Sequence, residues 1–235
     1  MAAVPDPPWW RRRGEPSRGE RRPLTRDAIV EAALGLLERE GLQGVSMRKL
    51  AQELGTGAAS LYWHVGDKEE LLSLLLDRIV GESELPEPDP EHWQEQVKES
   101  MRAARRLMHR YRDGAQLSLG RIPAGPNSLP VLERSLAIVA AAGLPAQVIA
   151  YAADMFALFV GGFAYEESLR VPALGDEAAG AAQLRDYFRS LPPDEFPTLV
   201  ALADQLTAGD EDARFEFALD LLVSGLETMA ARWAD

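Results

Sequence analysis

From Pro145 to Arg170 the chain reads as one helix that is apolar on almost every side, with an unbroken apolar run from Met155 to Tyr165. A helix of that kind must be covered all round, because no face of it suits water. The run is too short to span a bilayer as a helix, so the cover has to be protein and no membrane partner is expected. Gly161 and Gly162 sit in mid-helix, where small residues let a partner helix approach closely. The last helix expected, from about Glu211 to Trp233, carries its own stripe of Phe215, Leu219, Leu222, Leu226 and Met229.

The rest of the chain has the same period. Thr25 offers an N-cap, and Ile29, Ala33, Leu36 and Leu37 repeat at helical spacing until Gly41. Ser46 caps a second helix ending at Gly55, a short third runs from about Ala58 to His64, and Asp67 with Glu70 forms a capping box for a fourth. The Pro-rich acidic stretch GESELPEPDP, residues 81–90, is the best domain boundary, and Asp89-Pro90 is expected to open the next helix as N-cap and N1. Along that helix Trp93, Val97, Met101, Ala104, Met108 and Tyr111 form an apolar stripe. A further helix is expected from about Ser128 to Ala142, and an irregular stretch after Arg170. With no strand pattern and no internal repeat, the fold class is all-α. Residues 1–23 read as a mobile basic arm, 24–80 as a helical head, 81–90 as a linker and 91–235 as a larger helical body.

Within the head, SMRKLAQELGTGAASLYWHVGDKEELL (Ser46–Leu72) has the layout of a helix-turn-helix: a support helix, a tight turn at Gly55, and a second helix whose front half can enter a major groove. Leu50, Ala51, Leu54, Leu61 and Val65 pack the motif, which leaves Arg48, Ser60, Tyr62, Trp63, His64 and Lys68 for a nucleic acid. Arg48 suits a bidentate pair with guanine and Lys68 a phosphate. Tyr62 and His64 can hydrogen-bond phosphates, and Trp63 offers an N–H and an apolar face. Ala58 and Ala59 can offer only methyl contacts, and Met47 completes the candidate set.

The net charge of −12 seems to oppose DNA binding until it is located. Residues 1–80 carry 12 basic and 12 acidic side chains, so the whole deficit lies in the remaining chain. A neutral-to-basic head on an acidic body can orient on a polyanion with the body turned away. The chain has no cysteine, and its opening MAAVPDPPWWRRR has no apolar core of the signal-peptide kind, so a cytoplasmic location is expected. His92 and His109 lie far from any second ligand cluster, so neither a metal nor another cofactor is expected. No Ser/His/Asp set or phosphate loop points to an enzyme. The alternative reading is a helical small-molecule binder or enzyme carrying a vestigial DNA motif.

The block from Thr25 to Leu76, and above all RKLAQELG…LYWHV…K (Arg48 to Lys68), resembles the TetR family of DNA-binding regulators, most closely its tetracycline-repressor class. Positions matching Arg48, Tyr62, Trp63, His64 and Lys68 contact DNA in that class. Gln-Pro stands there in place of Ala58-Ala59, so the operator should differ. HRYRDGAQLSLGRIP (His109 to Pro123) and the helix ending in Tyr165-Glu166 are similar to the class's ligand-binding and dimerisation domain. The resemblance implies a repressor that binds a palindromic operator on double-stranded DNA as a homodimer and is released by a small-molecule effector. Each subunit would give two helices to a four-helix bundle, with Phe156, Val160, Gly161, Gly162 and Phe163 on one and Phe215, Leu219, Leu222 and Leu226 on the other.

The ligand positions depart from the class. Its magnesium–tetracycline complex is held by a histidine where this chain has Ser118, and the drug-touching positions are here Glu84, Ser100, Ala104, Arg121 and Ser135. Only Glu166, matching an acid that holds a metal-bound water, is kept. A mostly apolar pocket is expected instead between the Trp93–Tyr111 and Pro145–Arg170 helices, lined by Met101, Arg105, Met108, Leu117, Ser118, Met155, Phe159 and Glu166. Without the histidine, calorimetry should find no sub-micromolar, magnesium-dependent tetracycline binding; such binding would show that the altered positions do not decide the ligand.

Overall fold

The computed structural model describes residues 24–173, 177–208 and 210–233, so the basic arm lies outside the described residues. Four helices build the head: α1 (Arg26–Glu40), α2 (Met47–Glu53), α3 (Ala58–Tyr62) and α4 (Lys68–Val80). Their starts follow the expected caps. Thr25 Oγ1 accepts from the Ala28 amide at 3.1 Å, Ser46 Oγ from Lys49 at 3.3 Å, and Asp67 Oδ1 from Glu70 at 2.8 Å. The other arm of the capping box lands one residue early, Glu70 Oε2 accepting from the Gly66 amide at 2.7 Å. Gly55 turns the chain between α2 and α3 with φ +62°, a conformation that disfavours any side chain. Helix α3 is shorter than expected: it ends at Tyr62, and the Trp63–His64 turn follows it.

The apolar period of these helices becomes the head's core. Ile29, Ala33, Leu37, Leu50, Leu61, Val65, Leu71 and Leu75 are fully buried in it. The core is not closed by the head alone. Leu107, Tyr111 and Leu117 from the body pack into the same cluster.

The body contains α5 (Trp93–Arg110), α6 (Gly114–Ser118), α7 (Leu129–Ala140), α8 (Ala146–Ala173), α9 (Glu177–Ser190), α10 (Pro197–Ala201), α11 (Ala203–Thr207) and α12 (Glu211–Trp233). Two expectations need correction. Asp89 does not cap α5; its carboxylate takes the Glu91 amide at 2.9 Å and the His92 ring at 2.8 Å, which makes a separate turn before the helix begins at Trp93. The stretch after Arg170, expected to be irregular, contains α9, α10 and α11, which pack on one another. Among the described residues there is no strand.

Helix α8 lies against α5, α6 and α7, with α12 beside α5. By length and composition Ala146–Leu169 could cross a membrane, a correction to the reading of its shorter apolar run. The packing uses that surplus differently. Val160, Phe163 and Ala164 are buried against the body, whereas Tyr151, Met155, Leu158 and Leu169 stand exposed on the other side.

One charge is enclosed in this apolar body. Glu167 on α8 is 3 % exposed and is gripped by the guanidinium of Arg105 on α5 through Nε (3.0 Å) and a second, shorter bond from the terminal nitrogen. His109 Nε2 lies 2.7 Å from the same carboxylate, and Arg105 also reaches Asp212 of α12 at 2.7 Å. The guanidinium is stacked over Phe215 and Phe163, at 4.7 and 5.4 Å from their ring centres. Burial opposes ionisation of Glu167, but the bonds from Arg105 and His109 outweigh it and hold its pKa below the ordinary carboxylate value. Its stabilising contribution is therefore present above the unfolded value, about pH 4.3, and is lost as pH falls through the lower folded one. Thermal melting between pH 7 and pH 3 should show this: Glu167→Gln should cost about 3 kcal/mol at neutral pH by stranding Arg105, and should flatten the acid slope. An unchanged slope would mean that other carboxylates govern the acid transition.

Candidate nucleic-acid interface

The start of α2, the front of α3 and the turn after it leave a set of side chains in water. Arg48, Ala58, Ala59, Ser60, Tyr62, Trp63 and Lys68 are exposed, Trp63 at 74 %, and His64 is half-buried. Leu61, two residues before Trp63, is fully buried and anchors the short helix in the head's core. Met47 must be removed from the candidate set: its side chain is 8 % exposed and packs in the head's core, the third member of an apolar layer with Leu50 and Ala51.

The surface is braced from behind. Arg26, at the start of α1, donates from Nε to the His64 carbonyl at 3.4 Å and pairs with Glu70 at 3.4 Å, both side chains being nearly buried. Glu70 in turn holds the Gly66 amide. The turn that carries Trp63 and His64 is thus tied to α1 and α4. Acids near the surface are occupied by other cations: Glu53 by Arg39 at 2.6 Å, Glu40 by Lys49, and Glu31 by Arg78 at 3.3 Å. Among the described residues Arg48 and Lys68 form no ion pair, so both cations remain available to an anionic partner.

The body's candidate residues are dispersed. Met101 is core, and Ala104 and Phe159 pack against it, Phe159 stacked on Phe215 with ring centres 5.4 Å apart. Leu117 belongs to the head's core, and Arg105 is committed to Glu167. The hydroxyls of Ser100, Ser118 and Ser135 donate to the carbonyls of Gln96, Ala115 and Val131 in their own helices. Arg121 pairs with Glu69 of α4 at 2.7 Å. Met155 is 52 % exposed and Glu166 faces Arg214 at 3.0 Å, so neither lines an internal pocket. Of the set, Met108 borders a cavity, one of about 180 Å³ at the α5–α6 turn shared with His109, Tyr111, Ala164 and Ser168. A larger recess of about 400 Å³ opens elsewhere, between Gly81, Leu85, Asn127, Val131 and Arg134. Where α5 faces α8, Phe159, Phe163 and Phe215 stack under Arg105, and the open space there is the small cavity bordered by Met108, Ala164 and Ser168.

The expected subunit interface is likewise turned over. Phe156, Val160, Phe163, Phe215, Leu219 and Leu226 are buried in the subunit's own core, with Leu222 packed against them and Gly161 buried beside Ser118 and Leu119. The apolar groups left outside are Tyr151, Met155, Leu158 and Leu169 on α8 and Phe217, Leu221 and Met229 on α12. Each of these faces contains one glycine, Gly162 and Gly225, where an added Cβ would meet nothing within 4 Å. Sequence reasoning assigned these residues to an interface, whereas the structure buries them within the subunit, because a helix apolar all round offers no period to tell its two faces apart.

Arg26, Glu70 and Glu167 were not singled out as a brace and a buried charge, since charged residues at helical spacing read as solvated. Their pairing spans elements far apart in sequence, which no local pattern reveals.

Comparison with known proteins fits this surface. Residues 29–75 match the model described as bacterial regulatory proteins, tetR family, and residues 85–230 match the tetracyclin repressor-like C-terminal domain. The chain belongs to the TetR family. It is 37 % identical over 210 residues to an HTH-type transcriptional regulator of Saccharopolyspora erythraea, covering 88 % of this chain and 86 % of that one. To the HTH-type transcriptional repressor DrrR1 of Streptomyces coeruleorubidus it is 33 % identical over 229 residues, covering 95 % and 84 %. The crystal structure of Streptomyces coelicolor ActR in complex with actinorhodin superposes with a TM-score of 0.83 at 46 % identity, covering 88 % of this chain and 99 % of that one. As a member of that family this protein is a DNA-binding transcriptional regulator. Its relatives are regulators rather than enzymes.

Proposed function

We propose that this TetR-family repressor reads its operator with Arg48 and the methyl-fronted helix α3, and grips the flanking phosphates with Tyr62, His64 and Lys68. What supports this reading is the exposure of Arg48, Tyr62, Trp63 and Lys68 within the helix-turn-helix, whose Trp63–His64 turn is braced by Arg26 and Glu70. Trp63 lies against the sugar-phosphate backbone. Ala58 and Ala59 touch thymine methyls, so few bases are read by hydrogen bonds and Arg48 carries most of the direct readout.

Two such heads need a partner subunit. The outer faces of α8 and α12, with Tyr151, Met155, Leu158, Phe217 and Leu221, are the surface that two copies share. In that dimer the heads enter successive major grooves of a pseudo-palindrome, roughly 34 Å apart. The effector is a molecule related to actinorhodin rather than a tetracycline. The 46 % identity to ActR supports this, together with Ser118 in place of the tetracycline-class histidine. It enters the body near Met108, Ser118 and Arg121, where α6 meets α4 and α8. The protein works in the cytoplasm, where its operator lies.

Fluorescence anisotropy against the gene's own upstream duplex, with a scrambled duplex as control, tests the reading. Preference for the upstream duplex should be roughly a hundredfold or more at physiological salt. Arg48→Ala should cost about 1–3 kcal/mol and relax selectivity at one base pair, whereas Lys68→Ala should weaken all sequences alike and lower the salt slope by about 1. Equal affinity of the wild type for both duplexes would refute sequence-specific reading. For the dimer, light scattering should find Leu221→Asp with Met155→Asp monomeric and folded. A dimer surviving both charges would move the interface elsewhere.

A further inference from the structure

Asp77 lies in the last turn of α4, where the exposed carbonyl ends of a helix disfavour an anion. It is nevertheless 2 % exposed, and among the described residues no cation pairs with it. Four donors compensate. The amides of Asn127 and Ser128 reach it at 3.1 and 2.8 Å, the Asn127 side-chain amide at 2.7 Å and the Ser128 hydroxyl at 2.8 Å. Both residues stand at the start of α7, and Ser128 itself makes no side-chain cap there. A carboxylate from α4 therefore caps α7 from outside, at the end of a helix that favours negative charge.

The contact is close as well as polar. Gly81 ends α4 in ordinary helical backbone (φ −61°, ψ −11°), yet a Cβ built there would come within 2.6 Å of the Asn127 Cβ. The Ser128 hydroxyl, fully buried, has a second acceptor in the Gly125 carbonyl at 3.2 Å, and its one proton serves a single acceptor at a time. Helix α4 is a lever with this joint at one end and Lys68, on the nucleic-acid face, at the other. The span is about 13 Å at 1.5 Å per residue, so a tilt of ~10° about Asp77 moves the Lys68 end by ~2 Å.

We infer that Asp77 is a positioning residue: its buried carboxylate, seated on the start of α7, sets the angle of α4 and so the orientation of the DNA-reading head on the effector-binding body. The inference rests on the regulator reading for its consequence, but the joint can be measured without DNA. The native chain has no cysteine, so labels can be placed cleanly. Spin labels at Gln52→Cys on α2 and Glu133→Cys on α7, both exposed, report the head-to-body distance in full-length dimers diluted with unlabelled chain. The wild type should give one narrow distribution. Asp77→Asn, which puts an N–H where an acceptor is needed, should broaden it, and so should Gly81→Ala, which wedges the joint while leaving Asp77 and the backbone conformation alone. Val223→Ala, a cavity in the body's core, serves as control for lost stability and should leave the distribution narrow. Operator affinity of Gly81→Ala should fall about tenfold with its salt slope unchanged. Narrow distributions in both joint variants, or in Gly81→Ala alone if Asp77→Asn does not fold, would overturn the inference. Equal broadening in Val223→Ala at the same melting temperature would also overturn it. A wild type with a narrow distribution that binds no DNA would sink the regulator reading and leave the joint standing.

Discussion

Helix α8 carries more apolar surface than one subunit can cover, and most of the architecture follows from disposing of it. One side, with Ala152, Phe156, Val160 and Phe163, becomes the wall against which α5, α6 and α7 pack. Helix α12 adds Phe215, Leu219 and Val223 to the same core. The other side stays in water as Tyr151, Met155 and Leu158, beside the exposed Phe217 and Leu221 of α12. An apolar stripe of this extent on two long helices is what a subunit interface looks like before its partner arrives. Association through it would pair two heads in fixed relation, which makes a two-fold operator the natural target.

The electrostatics divide the same way. Residues 1–80 carry as many basic as acidic side chains, and in the head Glu31, Glu40 and Glu53 are paired with Arg78, Lys49 and Arg39, which leaves Arg48 and Lys68 outside those pairs. The body holds the excess of acid and spends much of it between helices. Arg105 bridges to Asp212 at 2.7 Å, Arg102 to Glu216 at 2.7 Å and Lys98 to Asp220 at 2.5 Å, so α5 and α12 are laced along their length. Where the two halves meet, Tyr111 donates to Glu82 at 2.7 Å; burial and that carboxylate push its pKa to about 12, so it remains a donor at every physiological pH.

How much of this was legible in the sequence depends on how local the signal is. The caps at Thr25, Ser46 and Asp67 and the turn at Gly55 are written in a few adjacent residues, and α1 to α4 follow them closely. The exposed groups of the head were legible for the same reason, since the apolar residues Leu50, Leu61 and Val65 mark the buried positions of a short motif. Which side of α8 and α12 is buried within the subunit was not, because Phe and Leu occur on both sides of them. Helices α9 to α11 were missed because Gly and Pro punctuation masks their short periods. Most of the lining expected between α5 and α8 was misjudged for a packing reason: Phe159, Phe163 and Phe215 stack on one another and under Arg105, and the cavity between those helices opens instead beside Met108 and Ala164.

The front of α3 has one more consequence. Ala58, Ala59 and Ser60 are exposed and contribute nothing to the head's core, which rests on Leu61 and its neighbours. Replacing them by residues other than Gly or Pro would cost only helix propensity, roughly 0.7 kcal/mol each at most. The scaffold and the address it reads are therefore nearly independent variables. A duplicated copy of such a gene could acquire a new operator by one or two substitutions at these positions without first passing through an unstable protein, and the same property makes this head a convenient starting point for building repressors that ignore one another's sites.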